Sequence, residues 1–255
     1  MRERATTEAL IKAASAQYWK TDLFGYFSAR GKLRGDPAFA RILSAGLLAD
    51  AERILDLGCG PGLLAAWLDA ARHRNDERPH LWPKDWRPPP RLKSYRGIEM
   101  RRQEVWRAQI ALRNHAEFEV GDITTADFGS VDAVVMLDVL HYLDHQAQVS
   151  VLERVHEALS PGGTLLLRIG DAGGGIRFAV GRWIDWTVMV AHYRRTPRMY
   201  CRSIHEWQRL LTSLGYESEA LPMSSGTPFA NIMLIAHAHK KARPPRTLTD
   251  SLITQ

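Results

Sequence analysis

The amino-acid sequence predicts one α/β domain in which helices cover both faces of a doubly wound, mostly parallel sheet. Short apolar strands alternate with helical segments between residues 52 and 170, which is the pattern of consecutive βαβ units. The first strand runs into a glycine-rich turn, and the chain closes with two strands whose short connection favours an antiparallel hairpin. We therefore predict seven strands, one of them antiparallel, in a single domain over residues 1–239.

The first 50 residues are predicted to contain two helices. Helical patterns cover residues 6–20 and 36–50, and the second begins with Asp36 as N-cap and Pro37 at the first helical position. The first strand then covers residues 52–57 and the next helix residues 63–71. Residues 72–94 are too rich in proline for a helix or an inner strand, so they are predicted to be a surface insertion.

The alternation continues to residue 170. The predicted strands are 94–99, 117–122, 131–138 and 164–170, and the predicted helices are 101–114 and 145–159. Residues 171–202 open with three glycines and continue as an aromatic-rich helical segment, which we predict to be a cap. A helix at 203–214 and strands at 216–221 and 231–236 follow, and residues 240–255 are predicted to be a disordered tail.

Composition limits the class of protein. The 255 residues include two cysteines, Cys59 and Cys201, too few for a disulfide framework, so we expect a reducing, cytoplasmic location. The N-terminus shows no signal-peptide pattern, and no stretch is long and apolar enough to span a membrane. The net charge of +6 comes from arginines spread over the whole chain, which favours solvated charge over a nucleic-acid surface.

The segment Ile54-Leu-Asp-Leu-Gly-Cys-Gly-Pro-Gly-Leu-Leu carries the strongest functional signal. Glycines at 58, 60 and 62 let the backbone turn sharply and approach a ligand closely. Dinucleotide-binding turns use a different spacing, G-x-G-x-x-G, to hold a pyrophosphate. Asp56 would repel a pyrophosphate, whereas an acidic group suits a cationic ligand. These two features argue against a nicotinamide-dependent oxidoreductase.

The run from Asp56 to Gly62 resembles motif I of class I S-adenosylmethionine-dependent methyltransferases. The resemblance implies a Rossmann-like sheet, S-adenosylmethionine as cofactor and no metal site. It also implies a set of cofactor-binding residues, namely Asp56, Gly58, Cys59, Gly60, Gly62, Leu63, Glu99, Met100, Asp122, Ile123 and Leu137.

The resemblance assigns individual roles within this set. Asp56 would face the amino group of the methionine half, and Glu99, at the end of the second strand, would accept both ribose hydroxyls. Asp122 would accept from the adenine amino group while Ile123 packs on the ring. Glu99 as a solvated strand-end charge, and Asp122 as an ordinary turn residue, remain the alternatives.

The fourth strand is expected to end beside the methyl group. Asp138, His141 and Tyr142 are the nearest polar side chains. His141 is predicted to be the general base, because histidine side chains ordinarily titrate near neutrality, and Asp138 either orients it or binds the cofactor amine. The alternatives are that His141 only bonds the backbone and that Tyr142 only packs.

Aromatic side chains are predicted to enclose a flat acceptor. Trp183 and Trp186 lie in the predicted cap, and Tyr18 and Phe24 lie in the N-terminal region. Two other interpretations of the cap remain open: an ordinary amphipathic helix over the sheet, and peripheral contact with a membrane surface.

Several segments also resemble the methyltransferases of bacterial aryl polyene, or xanthomonadin-like, pigment clusters. They include Leu137-Asp-Val-Leu-His-Tyr-Leu and Arg168-Ile-Gly-Asp-Ala-Gly-Gly-Gly. This closer resemblance implies O- or C-methylation of an aryl head group in secondary metabolism, either free or attached to an acyl carrier protein. A non-catalytic cofactor-binding protein is one alternative. A nucleic-acid methyltransferase is another, although the chain lacks an Asn-Pro-Pro-Tyr or Pro-Cys motif.

Overall fold

The computed structural model describes residues 2–113, 115–170, 198–223 and 231–239. These residues contain a seven-stranded sheet of order β3-β2-β1-β4-β5-β7-β6. Strand β7 pairs antiparallel with β5 and β6, whereas the pairings among β1 to β5 are parallel. The predicted fold class, with its single antiparallel strand, is therefore confirmed. The strands are β1 Arg53–Leu57, β2 Ser94–Glu99, β3 Glu117–Val120, β4 Val131–Leu137, β5 Leu159–Gly170, β6 Tyr216–Pro222 and β7 Asn231–Ala238.

Seven α-helices lie in the described part of the chain. They are α1 Arg2–Ala16, α2 Leu23–Gly35, α3 Pro37–Ser44, α4 Leu63–Glu77, α5 Arg102–Ala111, α6 His145–Ala158 and α7 Ile204–Ser213. None of them is long and apolar enough to cross a membrane. Most of the predicted cap, residues 171–197, and the predicted tail, residues 240–255, lie outside the described residues.

The N-terminal region differs from the prediction. A 3-10 turn at Gln17–Lys20 follows α1, and α2 is a further helix that the sequence pattern did not indicate. Its glycines lower the intrinsic helix propensity, but the Asp22 side chain caps its first turn by accepting from the Gly25 backbone N–H. Small buried side chains along one face then let α2 pack closely against α1.

The proline-rich segment is also different from the expectation of a surface insertion. Helix α4 continues to Glu77 before the prolines begin. Trp82 and Trp86 are both 7% exposed and pack edge to face. The Trp86 indole N–H donates to the Glu3 carboxylate over 3.1 Å. The segment therefore packs against α1, because its tryptophans bury large apolar area there.

The sheet separates two hydrophobic clusters, and alternation along the strands decides which side chain joins which. Ile54 and Leu166 face the cluster formed with α1 to α5, whereas Leu55 and Leu167 face the cluster formed with α6 and α7. Since side chains two apart share a face, Asp56 and Arg168 point to the side of the N-terminal helices. Both lie near the carboxyl ends of their strands, which is the edge where open α/β sheets bind ligands.

Candidate functional site

The turn after β1 has the geometry that its glycines permit. Gly58, Gly60 and Gly62 all adopt left-handed backbone angles, with φ of 75°, 53° and 78°. The N–H groups of Gly58 and Cys59 donate to the Ile98 carbonyl oxygen over 2.8 and 3.2 Å, which fixes the turn to the end of β2. Left-handed geometry in three residues of one turn is costly for any residue with a Cβ.

The three glycines face different surroundings. A Cβ on Gly58 would lie 2.7 Å from a Val139 methyl group, and one on Gly62 would lie 2.8 Å from the Phe118 ring. A Cβ on Gly60 would meet only the Arg101 guanidinium, at 3.8 Å. Gly58 and Gly62 are therefore packed against protein, whereas Gly60 borders open space.

Asp56 is a buried carboxylate beneath this turn. It is 3% exposed, and the Tyr95 hydroxyl donates to it over 2.6 Å. Burial raises the pKa of Asp56 to about 7, because the hydrogen bond from Tyr95 only partly offsets the lost hydration and nearby Glu99 adds repulsion. Asp56 is thus a poorly compensated acid that a cation would stabilise.

Glu99 lies at the end of β2, beside the same turn. Its carboxylate accepts from the Gly60 N–H over 3.0 Å, and from the backbone N–H and the Nε of Arg101, each also over 3.0 Å. Glu99 is 7% exposed. The structure therefore brings Asp56, Glu99 and the glycine turn together, as the sequence predicted, and adds Arg101 and Tyr95, which the sequence did not single out.

Tyr18 has a different position from the one expected of an acceptor contact. The side chain is 1% exposed, and its hydroxyl donates to the Pro61 carbonyl oxygen over 2.7 Å. Tyr18 therefore fixes the glycine turn from the side of the N-terminal helices. Cys59 is also buried, and burial raises the pKa of its thiol well above the usual range.

The other predicted cofactor residues line the same edge of the sheet. Asp122 is exposed and its carboxylate accepts from the backbone N–H and hydroxyl of Thr124, each over 2.8 Å. Ile123 and Leu63 are buried, Leu137 is partly buried, and Met100 is 64% exposed. Their predicted contacts with the cofactor stay predictions.

Asp138 follows β4 in a left-handed conformation, with φ of 60°, which is unusual for a residue other than glycine. Both its carboxylate oxygens accept from the Arg168 guanidinium, with the Nε–Oδ1 distance at 2.8 Å. Arg168 also donates to both oxygens of Asp36 over 2.6 Å. The ion pair between Arg168 and Asp36 was not predicted from the sequence. An arginine inside an otherwise apolar strand could have indicated a buried ion pair.

His141 and Tyr142 lie in a 3-10 turn at Leu140–Tyr142. Their rings are 4.1 Å apart, His141 is partly buried, and Tyr142 is 40% exposed. The His141 carbonyl oxygen accepts from the Tyr200 N–H over 2.9 Å. The Gln148 side chain donates to the carbonyl oxygens of Leu140 and Tyr200, which holds the turn in place.

The remaining predicted aromatic contacts lie on α2 or outside the described residues. Phe24 is 62% exposed on α2, and the Arg107 guanidinium lies 5.4 Å from its ring centre. Trp183 and Trp186 lie outside the described residues. In the described ranges, no three His, Cys, Asp or Glu side chains come together as a metal site would require.

Comparison with known proteins shows a family likeness in the central part of the chain. Residues 55–165 match the model of a methyltransferase domain family. None of the curated proteins matches the sequence. Several solved methyltransferases share the fold at identities that are too low to show more than the fold.

Three of these structures illustrate the likeness. An O-methyltransferase family protein from Burkholderia thailandensis has a TM-score of 0.61 and 16% identity, with 84% of this chain and 59% of that chain covered. Magnesium protoporphyrin IX methyltransferase from Synechocystis, with bound S-adenosylhomocysteine, has a TM-score of 0.55 and 18% identity, covering 86% and 89%. An O-methyltransferase from neocarzinostatin biosynthesis, in complex with S-adenosylmethionine and 2-hydroxy-5-methyl naphthoic acid, has a TM-score of 0.54 and 20% identity, covering 84% and 56%.

This chain thus spans less than two thirds of the length of the Burkholderia and neocarzinostatin proteins. The family match includes the glycine turn, Glu99 and the end of β4. Together with the sheet topology, it shows that residues 55–165 are similar to a methyltransferase domain and that the chain shares the fold of solved methyltransferases.

Proposed function

We propose that this protein transfers a methyl group from S-adenosylmethionine to an oxygen or carbon atom of an aromatic small molecule, either free or attached to an acyl carrier protein. The observation that carries the proposal is the pairing of Asp56, a buried and poorly compensated carboxylate, with the open space beside Gly60. A cationic ligand that approaches the backbone closely fits both features.

The residues of the turn fit the cofactor in charge and shape. Asp56 would attract the ammonium group of the methionine half, and the bare Gly60 backbone leaves room for the ligand. Glu99 would accept from the ribose hydroxyls, in place of or beside its present bonds to Gly60 and Arg101. The bound cofactor supplies a sulfonium methyl group that is already reactive, so the chain mainly has to align the acceptor and exclude water.

On the acceptor side, His141 is the proposed general base. It lies in the turn that follows β4, at the same sheet edge as the glycine turn. A phenolic acceptor would lose its proton to the imidazole as the methyl group transfers. Asp138 is held by Arg168, so its proposed role is to fix the start of this turn.

An aromatic acceptor is supported by two observations. The exposed ring of Tyr142 stands beside His141, and one solved methyltransferase of the same fold holds a naphthoic acid. Trp183, Trp186 and Phe24 remain proposed contacts of the acceptor. The subfamily resemblance adds the proposal of an aryl head group in secondary metabolism.

Titration calorimetry with S-adenosylmethionine, followed by turnover assays with phenols, aryl acids and their carrier-bound forms, tests the proposal. We expect cofactor binding, and a product heavier by one methylene group from at least one aromatic class. Cofactor binding without turnover on any of them would favour a non-catalytic role. Turnover on RNA or DNA alone would favour nucleic-acid methylation, and absence of cofactor binding would overturn the assignment.

Variants separate the two halves of the site. Asp56→Ala is expected to abolish cofactor binding, because the ammonium group loses its counter-charge. His141→Ala is expected to lower turnover strongly while cofactor affinity is retained. Unchanged turnover in His141→Ala would exclude His141 as the base.

A further inference from the structure

Arg168 is a buried cation outside the cofactor turn. Its side chain is 2% exposed, and it lies two residues before the end of β5, in the apolar run Thr164-Leu-Leu-Leu-Arg-Ile-Gly. Burying an unpaired guanidinium would cost many kcal/mol, so its partners decide whether the strand can hold it.

Its partners come from two distant segments of the chain. Nη1 of Arg168 lies 2.6 Å from both carboxylate oxygens of Asp36, and Nε lies 2.8 Å from Asp138 Oδ1. The Lys32 ammonium lies 3.1 Å from Asp36. Two cations thus face two carboxylates, so the cluster is neutral as it stands. Burial raises the pKa of Asp36, but Arg168 and Lys32 outweigh it and keep that pKa below the usual range.

Each aspartate is placed where it controls a segment. Asp36 joins α2 to α3, and its side chain also caps α3 by accepting from the Ala38 N–H over 3.0 Å. Asp138 is left-handed and begins the turn that carries His141. The next residue, Val139, is the one that packs against Gly58 of the cofactor turn.

We propose that Arg168 is a positioning residue that couples the α2–α3 corner to the turn bearing His141, and so sets the geometry of the acceptor side of the site. The term acceptor side rests on the proposed function, but the coupling itself does not. One guanidinium bonded to both aspartates makes their positions interdependent, since releasing one carboxylate leaves Arg168 with an uncompensated charge that must rearrange.

Backbone hydrogen exchange of an Asp36→Asn variant, followed by mass spectrometry, tests the coupling. Asparagine keeps the shape and the acceptor oxygen of the helix cap but removes the charge. We expect faster exchange, by about tenfold or more, in residues 138–143 as well as in α2, with strands β1 to β4 unchanged. Asp36 and Asp138 are 102 positions apart in the chain. Faster exchange in both segments therefore requires a contact between them in the folded structure.

Asp132→Asn is the matched control. Asp132 is the second residue of β4, so it lies at the amino ends of the parallel strands, opposite to the end that carries Asp138. The Arg53 guanidinium donates to its carboxylate over 2.8 Å. We expect that variant to leave residues 138–143 unchanged. Arg168→Lys is the second variant. It keeps the charge but loses the planar guanidinium that donates to both carboxylates, so we expect both segments to exchange faster.

The outcomes are separable from those of the proposed function. Exchange that rises in α2 alone in Asp36→Asn would overturn the coupling, as would a uniform rise across the whole sheet, which marks general destabilisation. Neither measurement needs a methyl acceptor. Cofactor affinity, measured by titration calorimetry with S-adenosylmethionine, is expected to stay within about twofold of wild type in Asp36→Asn, and a failure to bind in the wild type would overturn only the proposed function.

Discussion

Two nearly buried aspartates in this molecule have opposite electrostatic surroundings. Asp36 faces Arg168 and Lys32, and its pKa is held below the ordinary value. Asp56 accepts from the neutral hydroxyl of Tyr95, and burial raises its pKa to about 7. The charge of Asp36 is balanced by its neighbours, whereas that of Asp56 is not and would be stabilised by a cation.

Among these variants, Arg168→Met is expected to destabilise the protein most, because it removes the cation shared by Asp36 and Asp138. Two carboxylates would lose their shared counter-charge in a nearly water-free site, so we expect unfolding free energy to fall by about 3–5 kcal/mol. Urea denaturation at pH 7 measures it. The control Arg53→Met removes a half-exposed arginine that also pairs with an aspartate, and we expect a much smaller change. Equal changes in both variants would mean that burial of the Arg168 cluster adds nothing.

The glycine turn offers a matched pair of variants. Gly58→Ala would force a methyl group against Val139, so we expect a loss of about 1–3 kcal/mol in stability from overpacking. This loss adds to the left-handed backbone penalty of about 1–2 kcal/mol. Gly60→Ala meets open space, so we expect only the left-handed backbone penalty of about 1–2 kcal/mol. Cofactor affinity in Gly60→Ala is nevertheless expected to fall about tenfold or more, equivalent to about 1.4 kcal/mol.

Thermal unfolding and titration calorimetry on both variants measure these effects. The informative quantity is the ratio of affinity loss to stability loss, which should be larger for Gly60→Ala. If Gly60→Ala binds S-adenosylmethionine as the wild type does, the space beside Gly60 is not the ligand site.

The raised pKa of Asp56 predicts that both stability and cofactor affinity depend on pH. Because the folded pKa of Asp56 is raised from 3.8 to about 7, burying Asp56 favours its protonated form. Its contribution to the stability of the unliganded protein is fully present below pH 3.8 and is lost as the pH rises through 7. Binding of an ammonium group needs the ionised form, so cofactor affinity should rise about tenfold between pH 6 and pH 8.

Calorimetric titrations across this pH range test it. Asp56→Asn should bind weakly at every pH and lose the dependence. A dependence that persists in Asp56→Asn would assign the titration to another group.

The smallest expected effect comes from Tyr95→Phe. Without the hydroxyl, the pKa of Asp56 should rise further, and the affinity–pH curve should move to higher pH. We expect a stability change of about 1 kcal/mol, as for one buried hydrogen bond.

Tyr216→Phe is the control for that variant. Tyr216 is also buried, and its hydroxyl donates to the Leu152 carbonyl oxygen over 3.0 Å, far from the glycine turn. It should alter stability without moving the affinity–pH curve. A curve that is the same in Tyr95→Phe and wild type would show that the hydroxyl does not control Asp56.

Local sequence signals predicted the parts of the molecule whose causes are local. The strand-to-glycine turn from Asp56 to Gly62 is contiguous, and the turn needs residues without a Cβ, so its place after β1 was predictable. The alternation of strands and helices likewise predicted the parallel sheet, and the short connection between the last two strands predicted the antiparallel hairpin. Helix α2 was missed because its glycines weaken the local signal, while its cap and its packing against α1 supply the stability.

The sequence alone therefore determined the fold class and the place of the glycine turn and of Asp56 at the end of β1, because each depends on neighbouring residues and their periodicity. Tertiary structure alone decided which charges are balanced. Arg168 and Asp36 are 132 positions apart, and Tyr95 and Asp56 are 39 positions apart. Their pKa values depend on burial and on partners that folding brings together, and no local pattern specifies those partners.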